Sequence, residues 1–145
     1  MPTYSAVGLG LVCCFVAAGC LGAWIGDRSR ARRKARVTSR PPIALSEGYD
    51  RQYAQSEVTA AVFEKAITLI ASTYDLPPDR IRLSDRFDDE LAFAEPPAPD
   101  EELLALTERV RTDAAACGIK VDPAKISTVA DLVGLYSQIA RTERP

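Results

Sequence analysis

The 145-residue sequence contains no histidine. Histidine is the side chain that titrates nearest neutrality and the commonest metal ligand, so its absence argues against most hydrolytic and zinc chemistry. Cysteine is scarce in the polar part of the chain, where Cys117 stands alone and can form neither an intramolecular disulfide nor a Cys-x-x-Cys site. No pair of residues has a sequence spacing that indicates a catalytic nucleophile and its general base. We therefore expect a protein that is not an enzyme and has no cofactor and no metal.

The charges are unevenly distributed along the chain. The formal net charge is −2, from 18 basic and 20 acidic residues. Six of the nine residues from 28 to 36 are basic, whereas acidic residues dominate after residue 46. A chain of this length holds one small domain and an accessory segment, and the charge pattern separates the two.

An uncharged apolar run covers residues 5–25, with Tyr4 and Trp24 at its ends. As a helix this run would extend roughly 30 Å, which matches the hydrocarbon thickness of a bilayer. A cleaved secretory signal and a lipoprotein signal ending at Cys20 are the alternatives. The basic residues follow the run and none precedes it, which favours a retained anchor over residues 1–26. We expect a single-pass membrane protein with its N-terminus outside and its C-terminal domain in the cytoplasm.

Small residues recur every four positions at the end of this run, at Ala18, Gly22 and Gly26. This spacing aligns them on one helix face and allows close approach of a second helix. A transmembrane helix partner or a homo-oligomer is therefore a possible assembly.

Residues 27–55 are expected to form a basic juxtamembrane linker. Their positive side chains suit anionic lipid headgroups, so membrane lipids are predicted partners. The predicted lipid contacts are Arg28, Arg30, Arg32, Arg33, Lys34 and Arg36. Nucleic acid is not an expected partner, because no aromatic residue is interleaved with the basic ones before Tyr49. Pro41, Pro42 and Gly48 interrupt any periodicity and predict a flexible tether.

Residues 56–141 are predicted to form a helical domain, followed by a tail at 142–145. Apolar residues at helical spacing indicate a helix over about 56–74. A second helix begins at Pro99 with acidic residues in its first turn and ends at Gly118. A capping box from Thr128 to Asp131 opens a third helix. No stretch alternates as a strand would, so the predicted fold class is all-α: a single transmembrane helix followed by a small helical bundle.

The order of these elements resembles the acyl carrier protein family over residues 58–139. The similarity lies in "LPPDRIRLSDRFDDEL" (76–91), "EELLAL" (101–106) and "CGIKVDPAKISTVADLV" (117–133), and its most specific part is Ile-x-Thr-Val-x-Asp at 126–131. The resemblance implies that Ile81 and Phe87 plug the bundle and that an acidic helix start docks partners. The serine that carries phosphopantetheine in the family would fall near Glu95, where no hydroxyl is present, so no prosthetic group is expected. Similar bacterial proteins without the serine suggest a bacterial inner membrane as the location.

These observations predict a membrane-tethered, non-catalytic protein-interaction module with a degenerate acyl-carrier-like domain. A basic protein partner is expected to dock on acidic residues of the loop and of the second helix. The predicted docking residues are Asp88, Asp89, Glu90, Asp100, Glu101 and Glu102. Two alternatives remain open: a functional acyl carrier with its cargo on an unexpected residue, and a single-span accessory subunit of a larger membrane complex.

Overall fold

The computed structural model describes residues 26–92 and 100–143. Within these residues the chain forms five α-helices, and the one β-pairing is an isolated bridge between Arg86 and Thr128. We number the helices α1 (26–38), α2 (Leu45–Tyr53), α3 (Ala60–Tyr74), α4 (Glu101–Ala116) and α5 (Val129–Thr142). Short 3₁₀ turns lie at Pro78–Arg80 and Pro123–Lys125. The all-helical part of the predicted fold class is therefore confirmed.

The membrane part of the predicted fold class requires correction. Across residues 26–92 and 100–143, no helix combines the length and the apolar character needed to cross a bilayer. This finding contradicts both the fold class with an N-terminal transmembrane helix and the predicted single-pass location. The physical reason is the composition of α1, which lies nearest the predicted anchor and is rich in arginine.

The apolar run at 5–25 lies outside the described residues, and so do Ala18 and Gly22 of the predicted helix-packing face. Gly26, the third member of that face, is the first described residue of α1. A Cβ atom added at Gly26 would meet no described atom within 4 Å. The position near Glu95 that corresponds to the carrier serine is also outside the described residues.

Helix α3 lies at the centre of the bundle and packs against α2, α4 and α5. Its buried side chains recur at spacings of three and four, as a helix with one apolar face requires. These residues are Phe63, Ala66, Ile67, Ile70, Ala71 and Tyr74. Helix α5 buries Leu132, Val133 and Tyr136 against them, and the Tyr136 hydroxyl donates a 2.8 Å hydrogen bond to Asp113 of α4.

Local signals fix the ends of the helices. Thr59 accepts a hydrogen bond from the backbone N–H of Val62, so α3 begins at Ala60 instead of about residue 56. The predicted capping box of Thr128 and Asp131 is present at the start of α5. Gly118 has a φ of +71° just after α4, which confirms its predicted role as the left-handed residue ending that helix.

The segment expected as a basic juxtamembrane linker, 27–55, contains most of α1 and all of α2. In α1 the buried residues Ser29, Arg33 and Val37 are four positions apart and therefore share one face. Val37 is fully buried and belongs to the same apolar core as α3 and α5. Helix α1 is thus part of the bundle.

Helix α2 packs on α3 through aromatic contacts. The rings of Tyr49 and Tyr53 each lie 5.9 Å from the ring of Phe63, centroid to centroid, in tilted arrangements. The Tyr49 hydroxyl donates to the carbonyl of Val58 at 2.9 Å. Tilted aromatic pairs stabilise beyond the area they bury, which explains how a nine-residue helix is held here.

We expect Val37→Ala to lower the free energy of unfolding by about 1–3 kcal/mol, because it removes two buried carbons and leaves a cavity. Urea unfolding of the full chain measures the change. Leu104→Ala is the control, because Leu104 is 60% exposed and its truncation should have little effect. A Val37→Ala midpoint equal to that of the wild type would show that α1 is not part of the folded unit.

Candidate functional site

An apolar cavity of about 240 Å³ lies between α4, the loop at 85–91 and the segment at 121–127. Its apolar wall includes Phe87, Leu103, Leu106, Val110, Val121 and Ile126. Among the described residues, its polar wall groups belong to Asp88, Thr107 and Ser127. We call this space the α4 cavity. Its lining suits an apolar group and offers few polar contacts.

The loop that forms one side of the α4 cavity is anchored to the start of α5. The backbone N–H of Phe87 donates to the carbonyl of Ser127 at 3.0 Å, and the Val129 N–H donates to the carbonyl of Asp85 at 3.0 Å. Phe87 is buried, and its ring stacks on that of Tyr74 at 6.5 Å between centroids. Ile81, the second plug implied by the carrier resemblance, is buried as well.

The predicted docking residues of the loop have different surroundings. Asp88 lines the α4 cavity and pairs with Arg86 at 2.8 Å, which holds the pKa of Asp88 below its usual range. Glu90 accepts a 2.9 Å hydrogen bond from the backbone N–H of Arg86, and this bond likewise lowers the pKa of Glu90. Asp89 is exposed. The side chains of Asp88 and Asp89 are thus open to solvent, while Glu90 stabilises its own turn.

The predicted docking residues of α4 lie against α1. Glu102 accepts hydrogen bonds from Arg30 at 2.7 Å and from Arg33 at 3.3 Å. Glu101 is 76% exposed and lies 3.4 Å from Arg30. Asp100 caps α4 by accepting from the backbone N–H of Leu103 at 2.9 Å. Two of the three carboxylates therefore interact with arginines of the same chain.

The residues predicted to contact anionic lipids lie on α1, and contacts with the bundle are formed by Arg30, Arg33, Lys34 and Arg36. Arg30 and Arg33 pair with Glu102, and Lys34 pairs with Asp75 at 2.6 Å. Arg36 donates to the backbone carbonyls of Asp89 and Glu90 at 2.9 and 2.6 Å. Two further members, Arg28 and Arg32, occupy exposed positions of the helix.

Arg33 is the most buried charge of this group, with 4% of its side chain exposed. Its guanidinium lies 4.7 Å from the centre of the Tyr74 ring and donates to the carbonyl of Leu91 at 3.1 Å. The Tyr74 hydroxyl is buried beside Asp100 and Glu102, and burial raises the pKa of Tyr74. The sequence signal for this contact is the four-residue spacing of Ser29, Arg33 and Val37, which places an arginine between two residues that become buried.

The pKa values of Asp100 and Glu102 shift in opposite directions, although the two side chains lie close together. Burial raises the pKa of Asp100, and the hydrogen bond from the Leu103 N–H offsets this rise only in part. Burial also opposes ionisation of Glu102, but a backbone hydrogen bond and the two arginines hold the pKa of Glu102 below its usual range. The arginine charges are thus directed at Glu102, while Asp100 acts mainly as a helix cap.

Comparisons with protein-family models, with curated proteins and with solved structures return no match. The resemblance to acyl carrier proteins therefore stays a prediction. The described residues form a helical bundle and carry no feature specific to that family. In this part of the chain no three His, Cys, Asp or Glu side chains are grouped as a metal ion would require.

The raised pKa of Asp100 predicts a pH-dependent effect of Asp100→Asn. Because ionised Asp100 is disfavoured in the folded state, its contribution to stability falls as pH rises above the ordinary aspartate pKa of about 3.9. Asparagine is also a good N-cap and carries no charge. We expect the variant to be at least as stable as the wild type at neutral pH, with the difference shrinking toward zero in acid. Urea unfolding across this pH range measures it.

Asp100→Ala is the matched control, because it removes the helix cap together with the charge. In acid, where Asp100→Asn should equal the wild type, Asp100→Ala should be less stable by about 1 kcal/mol. An Asp100→Asn variant that is less stable than the wild type at neutral pH and equal to it in acid would contradict the raised pKa.

Proposed function

We propose that this chain is a non-catalytic protein-interaction module. Its α4 cavity accepts one apolar side chain from a partner, and the acidic residues beside the cavity favour basic residues next to that side chain. A membrane tether is not part of the proposal, because the membrane prediction was contradicted.

The apolar α4 cavity carries the proposal. Burying a leucine-sized side chain contributes about 1.5–3 kcal/mol, which makes one filled pocket a typical anchor of a protein interface. Leu104, on the same helix, is 60% exposed and adds apolar surface to α4. Such an anchor suits a partner segment better than a large flat interface.

Charge supports a basic partner. Asp88 lies in the cavity wall with 65% of its side chain exposed, and Asp89 and Glu101 are exposed as well. Exposed charges mainly set the rate of encounter and the choice of partner. We reduce the six predicted docking residues to the exposed Asp88, Asp89 and Glu101, because Glu90, Asp100 and Glu102 are only partly exposed and accept hydrogen bonds within the chain.

The polar groups of the cavity wall favour binding over catalysis. The Ser127 hydroxyl lies 3.1 Å from a carboxylate oxygen of Asp131, which also accepts from the backbone N–H of Thr128 at the start of α5. No histidine is present in the chain to act as a base for Ser127 or Thr107. A carboxylate, two hydroxyls and an apolar wall suffice to orient a bound group.

Three short peptides test the proposal by NMR titration of the labelled full chain. The first carries one leucine flanked by two lysines on each side, the second replaces lysine with glutamate, and the third replaces leucine with alanine. We expect the leucine–lysine peptide to bind about 10-fold or more tightly than the other two, because only it supplies both the apolar group and the opposite charge. Chemical-shift changes should concentrate at Leu103, Thr107, Val110 and Val121.

Two matched substitutions on α4 locate the binding. Thr107→Phe places an aromatic ring in the cavity wall and should abolish binding, while Thr112→Phe makes the same change at an exposed position and should leave binding intact. Equal binding of all three peptides, or equal loss in both variants, would refute the proposed role of the cavity.

A further inference from the structure

Three arginines of the N-terminal segment hold the loop that forms one side of the α4 cavity. Arg33 donates to the carbonyl of Leu91 at 3.1 Å. Arg36 donates from one nitrogen to the carbonyls of Asp89 and Glu90. Arg40 places one nitrogen 2.8 Å from both carboxylate oxygens of buried Asp85. We call Arg33, Arg36 and Arg40 the arginine clamp.

The arginine clamp holds the loop on both sides of its two cavity residues. Asp85 precedes Phe87 and Asp88 in the chain, and the three carbonyls at 89–91 follow them. Within the loop, the hydrogen bonds of the clamp go to the backbone carbonyls of residues 89–91 and to the Asp85 carboxylate, and the Phe87 ring and the Asp88 side chain line the cavity. The position of these two side chains therefore depends on an element about fifty residues earlier in the sequence.

The opposite edge of the same loop is held by backbone hydrogen bonds to the start of α5. These bonds join Phe87 to Ser127, Asp85 to Val129 and Leu83 to Ala130. Neutral backbone hydrogen bonds thus hold one edge of the loop, and charged guanidinium groups hold the other. Hydrogen bonds from guanidinium groups are stronger than neutral ones, but surface charges also respond to salt and to competing anions.

From this arrangement we infer that α1, together with Arg40 just after it, is the positioning element of the α4 cavity: the arginine clamp fixes the loop that carries Phe87 and Asp88, and loss of the clamp weakens binding in the cavity. The inference rests on the proposed function for its binding consequence. Its structural consequence, the position of the loop, can be measured without any partner.

Arg36→Gln and Lys34→Gln form the matched pair for the test. Both remove one positive charge from an exposed position of α1, but Arg36 contacts the loop whereas Lys34 contacts Asp75 at the end of α3. Arg33 is less suitable, because its burial makes loss of the whole fold the expected result of substitution. Arg36→Lys is the conservative variant, since one ammonium group can still donate to these carbonyls.

Two readouts report the loop directly. The first is hydrogen exchange of the Leu91 amide, which donates to the carbonyl of Arg86 at 3.0 Å within the loop. The second is the methyl chemical-shift response of Leu103, Val110 and Val121 to dissolved xenon, which enters apolar cavities regardless of charge. We expect Arg36→Gln to speed the exchange and alter the xenon response, Lys34→Gln to change neither, and Arg36→Lys to restore both in part.

The binding readout is the affinity of the leucine–lysine peptide. Arg36→Gln should weaken it by about 3- to 10-fold, the range expected for loss of a hydrogen bond, and Lys34→Gln should not. Equal effects of the two glutamine variants on exchange and on the xenon response would overturn the inference. A peptide that fails to bind even the wild-type chain refutes the proposed function, and the exchange and xenon results then still decide whether the clamp positions the loop.

Discussion

The buried guanidinium of Arg33 joins three parts of the molecule that are distant in sequence. Burying a charge without partners costs several kcal/mol, so a buried arginine requires hydrogen-bond acceptors that stay in place. Arg33 finds them in the Leu91 carbonyl and Glu102, and it lies over the face of Tyr74. Helix α1, the loop at 85–91 and the start of α4 are consequently held in a fixed relation.

The contacts between α1 and α4 give the three acidic residues at the start of α4 different roles. Glu102 appears in the sequence as one of three adjacent acids at a helix start, equivalent to its neighbours. In the folded chain it is the partner of two arginines, while Asp100 caps the helix and Glu101 faces solvent. Of the six acidic residues predicted to dock a partner, Asp88, Asp89 and Glu101 stay exposed, and Asp88 lies in the wall of the α4 cavity.

The elements that depend on local sequence could be predicted. Thr128 and Asp131 specify their cap within four residues, Gly118 ends α4 by its own backbone geometry, and the apolar spacing of α3 is regular. Helix α1 could not be predicted as part of the bundle, because a run of six basic residues among nine is typical of a solvated segment. Its buried face combines a serine, an arginine and a valine, which no hydrophobic pattern detects.

The remaining features depend on contacts across the chain. The pairing of Arg33 with Glu102 joins residues separated by 69 positions, and nothing near either residue indicates it. The α4 cavity likewise depends on how α4, the loop at 85–91 and the segment at 121–127 pack together, because their side chains leave a gap between them. Sequence periodicity identifies which residues face inward, but not where their packing leaves a gap.

Native-state hydrogen exchange of α1 in the full chain is the most direct measurement of the claim that this helix belongs to the bundle. If Arg33 and Val37 join α1 to the core, the amides of residues 30–38 should be protected and should lose protection together with those of α3 and α5 as denaturant is added. Exchange of these amides at the rate of an unstructured peptide, while α3 and α5 remain protected, would contradict the account.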